Sequence, residues 1–380
     1  MIKSFNMFKL KRLMVSLLVV LYIVVSLIHT QHLYDDLLKT PVIAIFIGFF
    51  IVIIYVFSKR VDFEKLQFNK VSVVAVVLVL FLLINSLFIR NEFLIGAIFN
   101  ILTGIVIAKN INNFKSKPWL MLVPFYFLTF YILERLYINP NPELVFVNSR
   151  NYISFYLIIT VLPYYLITLK YKANLLPALI TLMLSFYSLG RSGMVASLLI
   201  FIAVVLTKFK KNASFKIVLG LFILLIFMCF SVFHYITFED LSSIKKFDGI
   251  NNFVEDSGRG SIISEYLNNM SFVVFLFGMD TEKDLANILS IYGHVHSSLL
   301  NFISAVGVAS LFFFYFYFLK LKHFLKNNIS LFLLMLSILV RSSTDVGLLF
   351  GYFDYVFWMF LFCNVSSAQK VTNYATNPSN

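Results

Sequence analysis

The chain has 380 residues, of which 60% are hydrophobic and only 13% charged, against about 25% charged in an ordinary soluble domain. That composition excludes a water-soluble globule built around one large core. The net charge of +13 does not point to nucleic acid, because the basic residues sit in short loops between apolar runs, the signature of membrane orientation.

Each long apolar run can cross a hydrocarbon layer about 30 Å thick as a helix. Backbone polar groups cannot be left bare in lipid, so the runs are expected to be helices. The first is Leu13 to Ile28, after Lys3, Lys9, Lys11 and Arg12. No small-residue cleavage site follows it, so it counts as a span rather than a signal peptide. The second is Pro41 to Phe57, with proline at a favoured helix start. Val71 to Phe88 and Leu94 to Ala108 are the third and fourth. Pro118 to about Leu136 is the fifth, with Glu134 and Arg135 near its end. A polar loop from Tyr137 to Tyr152 precedes the sixth, Ile153 to Leu169, which carries Pro163 as an expected kink.

The seventh and eighth runs, Leu176 to Leu189 and Met194 to Leu206, form a tight hairpin turning at Gly190-Arg191-Ser192-Gly193. Ile217 to Phe233 is the ninth. A polar loop, 234–297, follows and is the one sizeable polar insertion. The tenth run is about Ser298 to Phe318, and the last two are Ile329 to Val340 and Leu348 to Phe362, joined by Arg341-Ser342-Ser343-Thr344-Asp345. The eleventh is the weakest; as a re-entrant segment it would move the C-terminus to the other side. The tail 364–380 is polar and expected to be disordered. Cys229 and Cys363 lie in or beside apolar segments and suggest neither a disulfide nor a metal site.

The expected fold is therefore all-α: one integral-membrane domain over 1–380, about twelve transmembrane helices, and one large loop inserted at 234–297. On that topology roughly two thirds of the 31 Lys and Arg residues fall on the side of the termini, which puts the termini in the cytoplasm and the loop outside.

Arg150, Arg191, Arg259, Arg341, His294 and His296 then lie on the outer face, where arginine runs against the orientation rule. A guanidinium offers a planar fork of donors suited to phosphate oxygens. Arg191, at a turn with almost no exposed loop, is a functional candidate or a snorkelling interfacial arginine. Arg259 lies in a loop with nine acids and four bases, so an ion pair with Glu255, Asp256 or Glu265 is its alternative. Arg341 has Asp345 four residues on as a helical partner. His294 and His296 titrate near neutral pH and suit a general base or a hydrogen-bonded interfacial role. Two histidines alone do not make a zinc site. Glu134, Asp345 and Asp354 read as a proton relay in a carrier, or as interhelical hydrogen bonds or ion pairs with an arginine.

Three local features resemble the O-antigen polymerase and O-antigen ligase superfamily. They are Ser188-Leu189-Gly190-Arg191-Ser192-Gly193 before an apolar helix; Gly258-Arg259 followed later by Leu276-Phe277-Gly278; and His296-Ser297-Ser298-Leu299-Leu300 with Gly307 beyond. The match covers roughly 188–307. It departs at Ser297, where the family often has asparagine, and at Met279-Asp280, where a second glycine is common. The resemblance implies a bacterial inner-membrane glycosyltransferase that uses an undecaprenyl-diphosphate-linked oligosaccharide and needs neither metal nor other cofactor. It implies that Arg191 and Arg259 hold the diphosphate and that His296 handles the acceptor proton. Arg150, His294 and Arg341 would help bind the substrate, and a chain-length regulator protein would be a partner. Polymerase is the leading expectation; ligase, or a glycolipid flippase, is the alternative.

Overall fold

The computed structural model describes residues 2–30, 42–58, 70–89, 93–146, 150–169, 173–209, 259–279, 297–344, 348–349 and 351–363. Among them every regular element is a helix. In chain order these are α1 (Ile2–Thr30), α2 (Val42–Ser58), α3 (Lys70–Ile89), α4 (Phe93–Asn110), α5 (Val123–Ile138), α6 (Asn151–Thr168), α7 (Leu176–Tyr187) and α8 (Arg191–Phe209). There follow α9 (Arg259–Asn268), α10 (Phe272–Phe277), α11 (Ser298–Val306), α12 (Ala309–Asn327), α13 (Ile329–Thr344) and α14 (Tyr355–Phe362). Short 3-10 turns at Ile111–Ser116 and Pro118–Leu122 lead into α5. The expected ninth span, most of the 234–297 loop, Cys229 and the tail 364–380 lie outside the described residues.

The bundle is organised around α6. Every side chain from Ile153 to Thr168 is buried, and a helix that is apolar all round belongs at the centre of its bundle. Pro163 sits inside it. Proline has no N–H, so the carbonyl of Ile159 one turn earlier loses its helical donor. The Tyr355 hydroxyl of α14 donates to that carbonyl at 3.4 Å, so a neighbouring helix supplies what the proline removes. Thr160 and Thr168 donate back to Tyr156 and Tyr164 carbonyls, which disposes of their hydroxyls without a partner outside the helix.

Around α6 the helices pack in neighbouring pairs, with α8 against α13 the most extensive and α14 against α4 next. Small residues allow the close approaches. A Cβ at Gly104 of α4 would meet the Tyr355 backbone nitrogen at 3.1 Å, and small residues at such crossings are the usual device between membrane helices. The pair α8–α13 is antiparallel: Thr207 donates to Ser330 at one end, and Arg341 donates to Ser192 at the other.

Among the described residues, four helical stretches are long and apolar enough to cross a membrane: Leu13–Thr30, Pro118–Ile138, Asn151–Thr168 and Arg191–Lys208. Five shorter apolar helices accompany them. Several expected runs differ in detail: the first helix starts at Ile2 rather than Leu13, and the fifth run opens with the 3-10 turn Pro118–Leu122. The tenth is broken, because Gly307, at φ +52, separates the short α11 from α12. The twelfth begins at Tyr355 rather than Leu348, after a turn in which Leu349 has φ +59. Arg341, expected in a connecting loop, is inside α13.

Candidate functional site

The hairpin turn between α7 and α8 shows why its residues are what they are. Ser188 is buried and donates to the Ser185 carbonyl. Leu189 takes a left-handed conformation at φ +55, uncommon for a non-glycine residue and a form of strain that gathers at functional sites. A Cβ at Gly190 would approach the Asn151 amide oxygen to 2.7 Å, and one at Gly193 would overlap the Ser154 side chain. The two glycines therefore let the first turn of α8 press on the first turn of α6. Ser188, Leu189, Gly190 and Gly193 thus have packing or conformational roles, and Arg191, the first residue of α8, is exposed.

Arg341 joins these two helix starts. Its side chain is 0% exposed. One terminal nitrogen donates to the Ser192 hydroxyl at 2.6 Å, and the other donates to the Asn151 carbonyl at 3.0 Å. The guanidinium also lies over the Phe155 ring, 5.6 Å from its centre. A fully buried guanidinium that bonds oxygens on two other helices through its terminal nitrogens, with its Nε donor left unused among the described residues, acts as a clamp, since its desolvation is offset by the donors that are used. Asp345, the partner expected from sequence, lies outside the described residues.

Arg150 occupies the N-cap position of α6, without a side-chain capping bond, and is half-buried. Three of the six candidates, Arg150, Arg191 and Arg341, are therefore brought to one end of the bundle, linked through Asn151 and Ser192. Neither α6 nor α8 has an acidic residue in its first turn. Helix N-termini carry a partial positive charge, so arginines there act against the helix dipole. The same arrangement favours an anion.

The remaining candidates are reached through α11. His294 and His296 lie outside the described residues. The next residue, Ser297, is the N-cap of α11, its hydroxyl accepting from the Leu300 N–H at 3.4 Å. The Ser298 hydroxyl accepts from the Leu348 N–H at 3.2 Å, which ties the start of α11 to the chain just beyond α13. Arg259 begins α9. That helix is fixed by Tyr266, buried with Met279 against Leu300 and Ile303 of α11. Burial raises the Tyr266 phenol above its ordinary range, and a hydrogen bond with Ser304 works the other way.

Tyr266, Gly278 and Gly307 have roles that the sequence does not single out. Both glycines have positive φ, +102 and +52. A Cβ on Gly278 would overlap the Ser304 carbonyl, and one on Gly307 would stand 2.8 Å from the Gly278 nitrogen. The two glycines cross back to back. Met279 N–H donates to Ser304 at 2.7 Å, and Asn85 of α3 donates to Ala305 at 2.6 Å. Their part is to dock α10 onto α11 and α3.

Of the carboxylates considered for a relay, Glu134 is exposed and Asp354 is buried, lining a small apolar cavity with Leu78, Ile101, Phe302, Phe313 and Trp358. Asp354 accepts from the Gly351 N–H at 3.2 Å. Among the described residues no group of three or more His, Cys, Asp or Glu could hold a metal ion. No protein family, no curated protein and no solved structure matches the chain.

Proposed function

We propose that the protein is an integral-membrane glycosyltransferase that polymerises undecaprenyl-diphosphate-linked oligosaccharide units at the outer face of a bacterial inner membrane. On this reading it spans the membrane about twelve times with both termini in the cytoplasm. The carrying observation is the gathering of Arg150, Arg191 and the clamped Arg341 around two helix N-termini that have no acid in their first turns. Arginines gathered at helix N-termini suit a diphosphate.

The acceptor sugar's hydroxyl attacks the anomeric carbon of the donor. The bond from that carbon to the diphosphate oxygen breaks, its electron pair leaves with the diphosphate, and the anomeric centre inverts. Arg191 and Arg259 take up the charge that develops on the leaving group, a task suited to fixed donors. His296 receives the hydroxyl proton. Its place just before the N-cap of α11 supports this role, because the capped helix start fixes the backbone next to it. Serine at 297 keeps the cap that asparagine would make, since both are strong N-cap residues.

The test is purified protein incubated with a defined lipid-linked oligosaccharide, with products sized by mass. The expected product is a ladder of longer lipid-linked chains, lost in Arg191→Ala and His296→Ala. Ladders of normal length in both variants would remove the proposed site. Transfer only onto a lipid A–core acceptor would replace polymerisation with ligation.

A further inference from the structure

The helices α9 and α10 belong to the segment whose composition reads as a polar extramembrane loop, yet they carry an exposed apolar surface. Phe272 is 75% exposed, and Val273, Phe275 and Phe277 are exposed too. No charged residue occurs in Phe272–Phe277. On α9, Ile263 and Leu267 form an exposed apolar stripe one turn apart. Beside it runs an exposed polar stripe, Ser264 and Asn268. Adjacent apolar and polar faces on short helices are the pattern of segments lying at a membrane surface.

The docking of α10 fixes its depth. Gly278, at the end of α10, sits against Asn85 of α3, where an added Cβ would stand 2.5 Å from the amide nitrogen. Asn85 is four residues before α3 ends at Ile89, about 6 Å along the axis at 1.5 Å per residue. It falls inside the apolar stretch Val71–Leu87. Leu87 on α3, just beyond this level, is 79% exposed. The C-terminal end of α10 therefore lies against α3 within the apolar stretch of that helix.

We infer that α9 and α10 form an interfacial anchor, with Phe272, Val273 and Phe275 inserted among the lipid acyl chains of one leaflet. The anchor holds Arg259, at the start of α9, near the level of the lipid head groups. The inference depends on α3 crossing the membrane and is independent of the enzymatic reading.

Spin labels test it. Single cysteines replace Phe272, Val273, Phe275, Asn268 or Leu87 in protein with Cys229→Ser and Cys363→Ser, reconstituted in lipid nanodiscs. Collisions with oxygen, enriched in hydrocarbon, are compared with those of a water-soluble nickel chelate. The expected result is a several-fold higher oxygen-to-nickel ratio at 272, 273 and 275 than at 268, approaching that at 87. A ratio at 272, 273 and 275 equal to that at 268 overturns the anchor. Low collision with both reagents overturns it as well, because protein then covers the face. A water-like ratio at 87 would instead refute the membrane placement of α3.

Discussion

Arg341 gives the sharpest test, because a clamp and a substrate ligand respond in opposite order to the same substitutions. The native guanidinium donates hydrogen bonds at 2.6 and 3.0 Å to Ser192 and Asn151 and lies over Phe155. Hydrogen bonds between membrane helices average about 0.6 kcal/mol, while charged ones elsewhere reach about 1.5–3 kcal/mol each. The ring contact adds about 0.5–2 kcal/mol. Against this stands the guanidinium's desolvation, an effective several kcal/mol. Arg341→Met removes attraction and desolvation together, keeps most of the volume, and should cost about 1 kcal/mol. Arg341→Ala adds a void on the order of 80 Å³, hence about 2 kcal/mol more. Arg341→Lys keeps a buried charge but offers a compact ammonium that cannot span both oxygens. It should cost about 2–3 kcal/mol, more than the neutral methionine. Reversible unfolding by steric trapping in bicelles measures all three. If lysine is the best tolerated of the three, the buried charge itself rather than the fork of donors holds the helices, and the clamp is wrong.

Other outcomes follow from single contacts. Gly193→Ala should wedge α8 from α6 and lower the thermal midpoint in detergent, because its Cβ would overlap Ser154. Adding Ser154→Gly should recover most of that loss, and failure to recover would show that another neighbour is responsible. Tyr355→Phe should cost about 0.6 kcal/mol, and little in a Pro163→Ala background, where the Ile159 carbonyl regains a helical donor; equal costs in both would break the link to the proline. The docking of α9 should be pH-sensitive, because burial raises the Tyr266 phenol. The unfolded phenol ionises near about pH 10, so docking is complete below that value and weakens as pH climbs above it. A spin label in Asn268→Cys should gain mobility there, and Tyr266→Phe should abolish the change.

Hydropathy located α1 to α8 well, because a run long enough to cross a membrane leaves the backbone little choice but a helix. It failed where backbone geometry is set by contacts distant in sequence. Gly307-Val308-Ala309 is as apolar as its surroundings, and the break there comes from Leu276 and Gly278, whose backbones occupy the space a side chain would need. The late start of α14 has the same character: Leu348 and Leu349 are buried and apolar but non-helical. Arg341 shows a limit that a closer reading overcomes. A charge ends an apolar run, so hydropathy alone closes the eleventh at Val340 although the helix continues to Thr344. Yet Ser330, Leu334, Ser337 and Arg341 follow one another at helical spacing, and all four are buried. Extending the small-residue stripe of Ser330 and Ser337 by one more turn places the guanidinium on the face that packs against α8. The site was thus legible as a set of residue types, while the division between a buried clamp and exposed Arg191 required the Gly190 and Gly193 contacts that bring two helix starts together.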